Sequence, residues 1–132
     1  LAGCGGGLKT YPVSGKVALS EGDVTQLAES YVELASETDP DLRASGTIEP
    51  DGSFWLQTQH QGQIYKGVPE GTYQARIILG EKYQENGPKR PPPPPIHARF
   101  LDFKKSGLAV QVPASGEVTL SLTRAKPGSN RP

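Results

Sequence analysis

The sequence predicts an all-β protein, a seven- to eight-stranded antiparallel β-sandwich, and three observations carry that prediction. Aliphatic side chains alternate with polar ones in short runs, the period of two that marks a strand with one face buried. Glycine (16 residues) and proline (13) punctuate the runs where turns are needed. At 132 residues the chain fits one domain, which can bury about two-thirds of its unfolded surface without staples.

From Tyr11 onward, Val13, Gly15, Val17 and Leu19 share one face, while Pro12, Ser14, Lys16 and Ala18 share the other. Glu21-Gly22-Asp23 makes a turn, and the stretch around Val24 to Glu29 reads as a short helical turn or a loop. Tyr31 to Ser36 is a strand with Val32 and Leu34 inward; after a polar turn, Ala44 to Glu49 is another. Pro50-Asp51-Gly52 reverses the chain, because glycine supplies the positive φ of a tight turn. Ser53 to Thr58 returns as one strand with Phe54 and Leu56 inward, so Trp55 and Gln57 face outward.

Gln59 to Gly71 is polar and punctuated by glycine, and Thr72 to Leu79 is a strand with Tyr73, Ala75, Ile77 and Leu79 on one side. The excursion from Gly80 to Pro95 ends in five consecutive prolines, which favour polyproline II and predict a stiff exposed loop. Ile96 to Lys105 reads as a connecting segment, with or without a short strand. Leu108, Val110 and Val112 alternate, as do Val118, Leu120 and Leu122, and the two runs are expected to pair as a hairpin across Pro113 to Gly116. No internal repeat is found. Segments 1–10, 11–124 and 125–132 then divide into a leader and glycine tether, the sandwich, and a disordered tail.

Charge and cysteine usage narrow the function classes. Fourteen basic residues balance fourteen acidic ones, and no basic stretch interleaves with aromatics, so nucleic acid is not an expected partner. No apolar run reaches the roughly 18 residues of a membrane-spanning helix. A single cysteine, Cys4, permits neither an internal disulfide nor a thiolate zinc site, and no cofactor is expected. Leu1-Ala2-Gly3-Cys4 matches the bacterial lipobox, an aliphatic residue, two small residues and a cysteine. In proteins that it resembles, cleavage precedes the cysteine and its sulfur carries a diacylglyceryl group, which implies lipidation at Cys4 and a signal peptide upstream. Gly5-Gly6-Gly7 would serve as the tether. Two or three acyl chains hold a protein to a membrane far more firmly than one, at about 0.8 kcal/mol per buried methylene. Gly5, rather than an aspartate, after the cysteine resembles the signal for export to an outer membrane.

Several motifs align with one family. They are Tyr11-Pro12-Val13-Ser14-Gly15-Lys16-Val17, Gly46-Thr47-Ile48 with Pro50-Asp51-Gly52-Ser53-Phe54-Trp55-Leu56, and Pro69-Glu70-Gly71-Thr72-Tyr73. Together they resemble the carboxypeptidase regulatory-like, or transthyretin-like, domains of bacterial lipoproteins. Ile96 to Leu108 resembles that family's Ile-Pro-x-Lys-Tyr segment leading into Ser-Gly-Leu, with His97 in place of the usual proline. The resemblance covers roughly Tyr11 to Thr123. It implies a transthyretin (prealbumin)-like sandwich at the cell envelope, periplasmic or surface-exposed, and no ligand, since the family has no common activity.

Catalytic chemistry is sparse. Transthyretin-like hydroxyisourate hydrolases carry a Tyr-Arg-Gly-Ser motif absent from this sequence, and only His60 and His97 are available as acid, base or metal ligand. Aspartates 39, 41 and 51 fit no calcium loop and are explained by turns. The remaining candidate is the outward group Trp55, Gln57 and Tyr65, because an aromatic plate beside amides can stack on sugar C–H groups and bond their hydroxyls. The more ordinary role of such a tryptophan is to pack beneath a neighbouring loop, such as the proline-rich one. The proline run could itself dock a partner, although a stiff spacer is its simpler role. These observations point to a non-enzymatic, lipid-anchored envelope domain making protein or carbohydrate contacts. The alternatives are a subunit of a larger surface assembly with strand edges as docking sites, and a small transthyretin-like hydrolase.

Overall fold

A computed structural model describes residues 9–39, 41–84, 91–114 and 116–124. Cys4, the glycine tether and the 125–132 tail lie outside the described residues.

Two β-sheets face each other across one apolar core, forming an all-β sandwich. The described residues form nine strands: β1 (Ser14–Ser20), β2 (Tyr31–Ser36), β3 (Arg43–Thr47), β4 (Ser53–Trp55), β5 (Gln57–His60), β6 (Gln63–Lys66), β7 (Gly71–Ile78), β8 (Leu108–Val112) and β9 (Val118–Thr123). The small sheet runs β4-β1-β9 and the large one β6-β5-β3-β2-β7-β8. Inward residues alternate as the sequence requires: Val13 precedes β1 and Val17 lies on it, Val32 and Leu34 lie on β2, Tyr73, Ala75 and Ile77 on β7, and Leu120 and Leu122 on β9, all buried.

The chain departs from expectation in three places. Ser53 to Thr58 is not one strand: at buried Leu56 it leaves β1 and joins β3, so β4 and β5 belong to different sheets. The amide of Leu56 donates to Val13 O (3.0 Å), and its carbonyl accepts from Gly67 N (3.1 Å), which holds the corner. Second, the polar stretch after His60 contains β6, joined to β5 by Gln61 (φ 50°) and Gly62 (φ 80°), both in the left-handed region of a tight hairpin turn. No residue of this edge strand is fully buried, so Gln63 to Lys66 carries no apolar alternation that would mark it.

Third, β8 and β9 do not form the expected hairpin. β8 pairs antiparallel with β7, whereas β9 crosses to the small sheet and pairs in parallel with β1, Gly15 facing Val118 and Ser20 facing Thr123. Alternation fixes which residues face the core but not which sheet supplies them, and both solutions bury Val110, Val112, Leu120 and Leu122. Ile96 to Lys105 is a connecting segment, as expected, and of its two alternatives the one without a strand holds. It forms a 3-10 turn (Ala98–Leu101) and a one-turn helix α1 (Phe103–Ser106), capped by Asp102 at its start and by Gly107 (φ 71°) at its end. A further 3-10 turn spans Val24–Leu27, which decides the helical-turn alternative for that stretch. The proline run is exposed at Pro92 to Pro94, but Pro95 and Ile96 are buried and anchor it to the sandwich.

Candidate functional site

Phe54 and Leu56 point into the core, and the period of two therefore turns Trp55 outward at the end of β4. It is 68% exposed, so no loop among the described residues covers it. Gly46 on β3 lets this corner form, because a Cβ there would collide with the Trp55 carbonyl oxygen.

Trp55 stands between two hollows. One, about 280 Å³, lies between Trp55 and Tyr31, with Ser45, Gly46, Thr47, Glu49 and Gln57 completing its lining. The other, about 390 Å³, lies beside Pro12, Val13 and Ser14 and reaches Leu56, Lys66 and Gly67. Gln57 lines both hollows. Tyr31 is 43% exposed, a further residue of the site, and inward Val32 and Leu34 on the same strand already imply that it faces out.

Tyr65 does not join this group. It pairs with Thr58, a buried residue, and so lies on the opposite face of the sheet from Gln57, whose partner is Lys66. The Tyr65 hydroxyl donates instead to Gln63 Oε1 (3.3 Å).

Other candidates have local structural roles. His97 Nδ1 accepts from Arg99 N (3.1 Å), capping the 3-10 turn, and the His97 amide donates to Thr123 O (2.9 Å) at the end of β9. His60 ends β5 opposite Gln63. Among the described residues no three His, Cys, Asp or Glu side chains cluster as a metal site, and no helix is long and apolar enough to cross a membrane. Asp39 accepts from Asp41 N (3.1 Å), and Asp51 from both the amide (2.9 Å) and the hydroxyl (2.6 Å) of Ser53, as turn residues do. The Ser53 hydroxyl and amide hold the Asp51 carboxyl below its ordinary value, with Lys16 adding a smaller pull.

Elsewhere on the outer face, Glu33 is held by Arg76 (2.8 Å) and more loosely by Arg43 (3.6 Å), and both guanidinium groups stack on Phe103 at about 5 Å. That cluster docks α1 onto the sheet, and its polar groups are spent on one another. Comparison with protein-family models, curated proteins and solved structures finds no match to this chain. The fold and the site together define an all-β sandwich carrying an exposed, aromatic-walled groove on one corner.

Proposed function

We propose that this chain is a non-enzymatic, lipid-anchored domain of the cell envelope, with a transthyretin-like sandwich that makes contacts through the face around Trp55. The observation that carries the contact role is the tryptophan itself, exposed between two hollows and braced by a backbone corner. A large ring left in water costs free energy that a partner recovers on covering it. Gln57, lining both hollows, supplies a donor and an acceptor beside the ring. The anchoring role rests on Cys4 in its lipobox context and on the triglycine that would separate a lipid from the sandwich.

Two experiments test these parts separately. Cells expressing the full precursor should incorporate labelled palmitate into the protein, and Cys4→Ser should abolish incorporation; equal labelling of the variant refutes the anchor. Trp55 is the only tryptophan, so intrinsic fluorescence reports this site alone. Purified envelope polysaccharide or envelope protein fractions should shift its emission saturably. Full retention of envelope binding by Trp55→Ala contradicts the contact role.

A further inference from the structure

We infer that the groove between Tyr31 and Trp55 binds a neutral saccharide chain, with Tyr31, Ser45, Thr47 and Glu49 as binding residues alongside Trp55 and Gln57. This ligand class rests on the contact role proposed for the Trp55 face. Strand register builds the groove. Tyr31 pairs with Thr47, and Ser45 with Glu33 on one side and Gln57 on the other. Trp55 lies past the last β3–β5 pair, on the far side of the Leu56 corner, where it lines the same hollow as Tyr31 and Thr47. The two aromatic residues wall one hollow, with Thr47 also in its lining. Gly46 also lines the groove, and the hydroxyl-bearing Ser45 and Thr47, which flank it in sequence, alternate to the outward face.

The polar groups of this groove are available. Among the described residues, the side chains of Ser45, Thr47, Glu49, Gln57 and Trp55 enter no hydrogen bond or ion pair with the protein. On the same sheet Glu33 is occupied by two arginines, and Thr72 donates to Gln111 (2.8 Å). A sugar ring matches such a site because its C–H face stacks on an aromatic ring while its hydroxyls both donate and accept. Serine, threonine and glutamine answer in both senses, and Glu49 accepts only. An apolar peptide would leave these groups without partners once water is displaced. An acidic saccharide would meet Glu49, the only charged residue among the described ones lining this groove, while Lys66 lines the hollow on the other side of Trp55.

The test uses the full chain with soluble neutral hexasaccharides (cello-, xylo-, manno- and chitohexaose) and with oligogalacturonate as the acidic probe. Binding is read by Trp55 fluorescence and by calorimetry. At least one neutral hexasaccharide should bind saturably and oligogalacturonate should not. Tyr31→Ala and Trp55→Ala should each weaken the neutral ligand about tenfold or more. Tyr31→Phe should retain binding, since the ring and not the hydroxyl forms the wall, and Glu49→Gln should admit oligogalacturonate. Unchanged thermal melting of the Tyr31 and Glu49 variants separates lost contacts from lost folding. The inference is overturned if no neutral hexasaccharide binds, if oligogalacturonate binds the unmodified chain equally well, or if Tyr31→Ala leaves affinity unchanged. If those results accompany Trp55-dependent binding of envelope protein, the contact role stands without the saccharide. If Trp55→Ala changes nothing with any envelope fraction, both fall.

Discussion

Single residues decide whether the Trp55 corner exists. Gly46 is one: any Cβ there meets a backbone carbonyl, which cannot swing aside as a flexible side chain can. Gly46→Ala should therefore cost about 2 to 3 kcal/mol in urea unfolding and displace Trp55, read as a change in its emission. Tyr73 is another. It is buried, and its hydroxyl donates to Pro69 O (2.8 Å), four residues back, forming a tyrosine corner that ties the Pro69-Glu70-Gly71 turn to β7. Tyr73→Phe leaves that buried carbonyl without its partner and should cost about 1 to 3 kcal/mol. Burial, and secondarily the charge of Asp39, raises the Tyr73 pKa above its ordinary 10.0. The neutral phenol is the form the fold prefers, so its contribution is complete below pH 10 and fades as pH rises through the higher folded value. Alkaline melts of Tyr73→Phe should lack that component.

At the scale of elements, the turns were the most legible features and the strand partners the least. Pro50-Asp51-Gly52 announced its reversal, and the structure supplies the cause: Asp51 caps Ser53, and Gly52 adopts φ 91°. The depressed Asp51 pKa means that its carboxylate stabilises the turn above the ordinary value of 3.8 and ceases to as pH falls below it. Asp51→Asn should accordingly flatten the acid limb of the stability profile, measured by thermal melts from pH 6 to pH 2.5. Alternation placed Val13, Val32, Leu34, Phe54, Tyr73 and Leu120 inward, all correctly. It could not reveal that Leu56 is a corner, that β6 exists, or that β8 and β9 part company, because each depends on hydrogen bonds made with distant strands. The site divides the same way. Outward Trp55 and Gln57 follow from period two alone, whereas grouping Tyr65 with them needed a register that the sequence does not contain. Tyr31 was the opposite case, legible by the same alternation yet connected to Trp55 only through β3.

For the whole molecule, closure of the sandwich depends on β9. Its parallel pairing with β1 sets Leu120 and Leu122 against the inward side chains of the large sheet, and β1 would otherwise pair in the small sheet with β4 alone. Leu120→Ala should cost about 2 to 5 kcal/mol in urea unfolding, the range for a cavity in a tight core. A rigid two-sheet frame of this kind holds the Trp55 corner in place before any partner arrives, which limits the ordering cost of binding.

The contact role of that corner is tested most directly by chemical-shift mapping on the isotope-labelled full chain, titrated with purified envelope polysaccharide. The account predicts saturable shifts concentrated at the Trp55 indole, Gln57, Ser45, Thr47 and Tyr31, with the core strands β2 and β7 otherwise still. Shifts confined to another surface, such as the β8 and β9 edges, or no saturable change at Trp55, would contradict it.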